Sequence, residues 1–121
     1  MFNPAASRRV EIRNGDQSVA AAEVTTSAGV AGIARASLYA AAGHIAPGSR
    51  ASLVDAIMDL PEVQASARLE ATVPLGDAES LARLRERTED AVTRPAGSTA
   101  LFDAKIPMAR RQPDSSLTRL L

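Results

Sequence analysis

Apolar and polar residues alternate along much of the first third of the chain. Residues 8–13, Arg-Arg-Val-Glu-Ile-Arg, alternate polar and apolar from Arg9 on, as a half-buried strand does. Asn14-Gly15-Asp16 reads as a tight turn. Residues 18–26 resume the extended pattern with Val19, Val24, Thr25 and Thr26, and Ser27-Ala28-Gly29 is a second turn candidate. Residues 30–41 fit two templates. As a strand, one face carries Val30, Ala34, Ala36, Leu38 and Ala40; as a helix, Val30, Ile33, Ser37, Leu38 and Ala41 share a side, and alanine favours helix. We take the strand, which makes residues 8–41 a three-stranded antiparallel meander with short connections.

The period then changes. Residues 43–50, Gly-His-Ile-Ala-Pro-Gly-Ser-Arg, form a loop, and Ser49 is a good N-cap for the helix that follows. Leu53, Val54, Ile57 and Met58 make one apolar stripe, and Pro61 ends the helix. Residues 66–73 alternate again, with Ala67, Leu69, Ala71 and Val73 on one face. A second helix starts at Gly76 or Asp77, burying Ala78, Leu81 and Leu84, with Glu79–Arg83 and Arg85–Glu89 as i, i+4 pairs. Pro95-Ala96-Gly97 turns the chain into a last strand at 98–104. The expectation is an α+β domain over residues 1–106, in the order β-β-β-α-β-α-β. Two helices pack on a mostly antiparallel sheet, and residues 107–121 form a C-terminal tail.

Composition sharpens this picture. The 121 residues suffice for one core, and 45% are apolar, but Phe2, Tyr39 and Phe102 are the only aromatics. A core of Ala, Val, Leu and Ile gains less per residue, which points to a homo-oligomer interface as a further source of stability. Fourteen bases balance fourteen acids, which argues against nucleic acid as the main partner. With no cysteine, disulfides and thiolate chemistry are excluded. The N-terminal residues lack an apolar run of signal-peptide length, and no stretch is long enough to span a membrane, so the cytoplasm is the expected location.

Chemistry is sparse. Gly48 and Ser49 stand where a helix begins, so free amides and the helix dipole aim at one spot that suits phosphate or carboxylate, and Arg50 adds charge. His44, the single histidine, lies just upstream, with no partner for a metal and no nucleophile in an activating motif. Asp55, Asp59 and Glu62 fall on one helix face and read as solvated, as do the mixed charges of residues 83–90. There is no Walker, GxGxxG, GxSxG or HExxH motif. In the tail, two prolines prevent one continuous helix. Arg110, Arg111, Leu117, Leu120 and Leu121 form a basic, apolar-ended segment suited to anchoring on a second subunit or a partner protein.

The order meander, loop, helix, strand, helix, strand resembles the C-terminal three-quarters of the GNAT N-acetyltransferase fold, over residues 8–104. His44-Ile45-Ala46-Pro47-Gly48-Ser49-Arg50-Ala51 stands where that family cradles the pyrophosphate of acetyl-CoA, and Leu81 through Arg87 resembles the helix after its fifth strand. The resemblance implies coenzyme A as ligand, held at His44, Gly48, Ser49 and Arg50. Three departures bear on it. Ile45 replaces the loop's Gln or Arg, and Arg50 replaces its second small residue. Arg85 takes the place of the family's thiolate-protonating tyrosine. The family's first strand and two helices have no counterpart. The leading expectation is therefore a non-catalytic protein without cofactor, acting by homo-oligomerisation or protein contact; the alternative is an acyl-CoA or phosphate-ligand binding domain.

Overall fold

The computed structural model describes residues 6–15, 17–26, 32–40 and 47–107. The elements run β1 (Ala6–Asn14), β2 (Gln17–Thr26), β3 (Ile33–Ala40), α1 (Ser49–Met58), α2 (Pro61–Gln64), β4 (Arg68–Pro74), α3 (Ala78–Arg87), β5 (Glu89–Ala96) and β6 (Thr99–Lys105). The strands form one six-stranded sheet in the order β1-β2-β3-β4-β6-β5. Every neighbouring pair is antiparallel except β3 and β4. The mostly antiparallel α+β architecture is as read from the pattern.

The ambiguous stretch is extended. In β3 the small apolar side chains of Ala34, Ala36 and Leu38 are buried, while Arg35, Ser37 and Tyr39 fall on the other face. A helix would have placed the polar Ser37 within the apolar side. Register places Ala36 between Val24 of β2 and Ala71 of β4, and Ala71 beside Phe102 of β6. One face of the sheet therefore collects Ala20, Ala22, Val24, Ala34, Ala36, Leu38, Leu69, Ala71, Val73, Phe102 and Ala104 in a single core. Leu53, Val54, Ile57 and Met58 close it from α1, which lies over β1 and β2 and packs against α3. Alanine across the middle strands provides little area, so Phe102, 1% exposed, carries a large share of the apolar burial. Pro107, the last described residue, is also buried.

Five expectations are corrected. Pro61 does not simply stop a helix: α1 ends at Met58, and Pro61 opens the short α2 at its first position, where a missing N–H costs nothing. Glu89–Ala96 is a strand, so the second half of the order is α-β-β rather than α-β. It pairs only with β6, as an edge strand with a bulge between Glu89 and Val92 and Pro95 in its outer half. The turn into β6 is Gly97-Ser98, with Gly97 at φ 65°. In α3, Ala78 is exposed, while Ser80 joins Leu84 as a buried residue. Arg85 cannot pair with Glu89 along a helix; its Nη2 donates to Thr93 Oγ1 of β5 at 3.0 Å.

The three carboxylates expected on a solvated helix face are engaged. Asp55 accepts from Arg83 Nη2 at 2.9 Å and from Arg87 Nη1 at 2.7 Å, and Asp59 accepts from Arg87 Nη2 at 2.8 Å. Glu62, beyond the end of α1, accepts from Arg8 Nε at 2.7 Å. An ion-pair cluster thus bridges α1 and α3. Burial raises the Asp55 pKa, but hydrogen bonds and charge from Arg83 and Arg87 outweigh it and hold the carboxyl below the ordinary carboxylate range.

Candidate functional site

The one parallel pair creates the opening. β3 and β4 are in register from Ile33 opposite Arg68 to Ser37 opposite Thr72, and there their pairing stops. Each strand continues on its outer neighbour. β3 stays paired to β2 as far as Ala40 opposite Ala20, and β4 stays paired to β6 as far as Pro74 opposite Thr99. The two strands therefore part at their carboxyl ends. Among the described residues, 38–40 have no partner strand on their β4 side. In sheets with parallel strands, the crevice outside the carboxyl ends is where ligands bind.

Two helix N-termini converge on this end. α3 starts three residues after β4, and Asp77 caps it, accepting from Ser80 N at 3.1 Å and from Ser80 Oγ at 2.6 Å. The start of α1 lies beside it. Ala51 N donates to Glu79 Oε2 at 2.9 Å, and Arg50 Nη1 reaches Asp77 Oδ1 at 3.4 Å. Free amides at both helix ends and both dipoles thus favour negative charge in one corner.

The residues named from sequence at this corner are present, with one change of role. Ser49 is not the cap of α1: Gly48 is, in the left-handed region at φ 90°, and no side chain bonds there. Ser49 is the first helical residue, so its hydroxyl lies too far along the helix to serve the first-turn amides as a cap. Arg50 turns its guanidinium to α3, and its Nε is buried with no hydrogen-bond partner. His44 lies outside the described residues, as do Arg110, Arg111, Leu117, Leu120 and Leu121. Sequence reasoning missed Glu79, assigned to a pair with Arg83 along the helix. Arg83 instead bonds Asp55 and Glu86, which leaves Glu79 to α1. The signal was available in principle: two helices that each follow a parallel strand begin at the same end of the sheet.

A second depression, of about 550 Å³, lies on the sheet face opposite the helices, between β3, β4, β6 and β5. Arg35 pairs with Glu70 across its floor at 3.0 Å, and Arg68 pairs with Asp103. Its charges are largely matched within the sheet. Among the described residues no cluster of His, Asp or Glu has the makings of a metal centre, and no helix is long and apolar enough to cross a membrane.

No family model and no curated relative matches the chain. Two solved structures share its fold. The ribosomal-protein-alanine N-acetyltransferase of Brucella melitensis superposes with a TM-score of 0.57 at 17% identity, covering 84% of this chain and 69% of that one. YncA of Salmonella typhimurium, a candidate acetyltransferase solved with its cofactor acetyl-CoA, gives a TM-score of 0.56 at 11% identity, covering 91% of this chain and 70% of that one. The fold is GNAT-like, as the order of elements implied. At these identities the likeness concerns the fold alone.

Proposed function

We propose that the chain is a GNAT-type domain that binds an acyl-coenzyme A thioester where β3 and β4 part. One observation carries this reading: the parallel strands separate at the end where the N-termini of α1 and α3 meet. Such a corner matches the ligand's two chemistries. The parted ends of β3 and β4 suit an extended, amide-bearing arm, and the helix ends suit phosphate. Arg50 fits that role, since its contact to Asp77 is long and its buried Nε has spare donor capacity. Glu79 fits it poorly, because its carboxylate already sits on the Ala51 amide.

When bound, such a ligand supplies an acyl group activated for transfer. The proposal for this chain is one of binding. At the position of the family's tyrosine, Arg85 bonds Thr93 instead. Both neighbouring structures are described as acetyltransferases, one with acetyl-CoA, so this reading has more support than that of a cofactor-free assembly protein. Anchoring of a second subunit or a partner protein by the tail stands as a separate proposal, tested by light scattering with and without residues 108–121.

Thermal shift with acetyl-CoA, coenzyme A and nucleotides tests the main reading. A ligand at a hundred times its dissociation constant adds about 2.7 kcal/mol of apparent stability. An upward shift with acetyl-CoA, larger than with a nucleotide diphosphate, is the expected result. No shift at millimolar acetyl-CoA would refute it.

A further inference from the structure

We propose that two copies of the chain join their sheets edge to edge along β1, antiparallel and about a two-fold axis at Val10. This surface is separate from the crevice between β3 and β4.

Among the described residues the sheet ends in two edges, β1 and β5, and they are built differently. β5 is blunted: its register slips between Glu89 and Val92, Asp90 in that bulge sits at φ 55°, and Pro95 lacks an N–H. Such features keep an edge from pairing with another strand. β1 has none of them over Ala6–Asn14. All of its residues pair with β2, and where the register shifts, between Ile12 and Arg13, the extra residue is Val19 of β2. Alternate residues of β1 therefore turn an N–H and a C=O away from β2 along one unbulged edge.

The side chains select the partner. Full antiparallel overlap of β1 with its own copy centres on Val10, the middle of its 9 residues. On the face away from the helices, that register sets Arg9 opposite Glu11 of the second copy and Glu11 opposite its Arg9, while Arg13 falls opposite Ser7. Arg9 also donates from Nη1 to Glu23 of β2 at 3.0 Å, so it would stand between two carboxylates. On the helix face, Val10 and Ile12 pack against the core while still partly exposed. Val10 would meet Val10, and Ile12 the aliphatic stem of Arg8, whose guanidinium is held by Glu62. The alanine-rich core then continues across the axis. A slip of two residues, the smallest that keeps each face together, loses this match. Centred on Arg9, the pairing opposes Arg9 to itself; centred on Glu11, it opposes Glu11 to itself and Arg9 to Arg13. Opposite charges directly across a ladder stabilise it and like charges destabilise it. The charges thus favour the register that also gives the longest overlap.

Light scattering over a concentration series should show a dimer for the wild type. Glu11→Arg and Arg9→Glu each oppose like charges twice in a dimer, so each alone is expected to dissociate about tenfold more readily. Mixed in equal amounts, the two variants restore both opposite-charge pairs, and a heterodimer should form; circular dichroism checks that each is folded. Val10→Cys gives this cysteine-free chain a single thiol, which should cross-link to its copy on mild oxidation. Ser7→Cys lies about 20 Å along the paired strands from its own copy and should not. A monomeric wild type overturns the proposal. So does a dimer that neither charge variant weakens, a mixture of folded variants no tighter than its components, or cross-linking at position 7 but not at position 10. A dimer lost on removal of residues 108–121 yet insensitive to Arg9 and Glu11 also overturns it and assigns assembly to the tail.

Discussion

Replacing Asp55 by asparagine removes one charge from the cluster that joins α1 to α3, and the size of the effect follows from the contacts. Asp55 accepts from Arg83 at 2.9 Å and from Arg87 at 2.7 Å, and the Arg87 side chain is only 17% exposed. An exposed ion pair contributes about 0–1 kcal/mol. Removing one partner of a fully buried pair costs about 3–5 kcal/mol. This cluster lies between the two, and both arginines keep a second carboxylate: Arg83 bonds Glu86 at 2.7 Å and Arg87 bonds Asp59 at 2.8 Å. The expected loss at pH 7 is therefore about 1–2 kcal/mol. For a domain of this size, each kcal/mol corresponds to roughly 4–8 °C in Tm. The sign with pH is fixed. Asp55 titrates below its unfolded value, so its contribution is complete above the ordinary carboxylate pKa of about 3.9 and is lost as the pH falls through its lower folded value. Urea denaturation of wild type and Asp55→Asn from pH 7 to pH 2.5 should show two curves that converge only at the acid end. Equal stability at pH 7, or a gap that persists unchanged at the lowest pH, would refute the assignment of the cluster as a clamp.

Two further substitutions probe the core and the α3 cap. Phe102→Ala, at a site 1% exposed and flanked by Ala71 and Thr93, should cost about 3–5 kcal/mol in urea denaturation; a loss below 1 kcal/mol would mean the alanine-rich interior collapses around the cavity. Asp77→Ala deletes the acceptor for Ser80 N, Ser80 Oγ and Arg50, and should cost about 1–2 kcal/mol by calorimetric melting, whereas Asp77→Asn should retain part of it; identical melts would contradict the capping geometry.

Legibility in the sequence followed burial. β2, β3, β4 and β6 each carry a buried face, β1 carries a half-buried one through Val10 and Ile12, and the period-two pattern of Leu69, Ala71 and Val73 is visible without a structure. β5 has no such face. Its residues are mostly exposed, it contains Pro95, and it follows the Arg- and Glu-rich end of α3, so nothing in its polarity marks the change of element. α2 was hidden because proline signals both the end of one helix and the first position of the next. The helix start at residues 48–50 was readable because loop-to-helix chemistry is local, although the cap is Gly48 and not Ser49. Glu79 was not, because its partner depends on β3 and β4 lying parallel, and alternation within a strand carries no record of its neighbour's direction. The same lack of long-range information made Asp55, Asp59 and Glu62 look solvated when each meets an arginine from another element.

The two ends of the α1–α3 contact bear differently on ligand binding. One end, Asp55 with Arg83 and Arg87, ties the two helices together. The other end, Glu79 on Ala51 N and Arg50 on Asp77, is both a structural contact and the wall of the crevice. An alanine-rich sheet gives α1 little side-chain relief to lock against, so both ends contribute to its placement. Displacing Glu79 by an anion then exchanges one anionic acceptor for another at the same amide and gives up the tether from α3. The anion's binding energy is reduced by what Glu79 gave up. Apo stability and anion affinity are therefore linked with opposite signs at this residue. A variant that loses the Glu79 contact should melt lower without ligand and gain more from pyrophosphate than wild type does. A residue serving affinity alone, or stability alone, would shift one of these quantities and not the other.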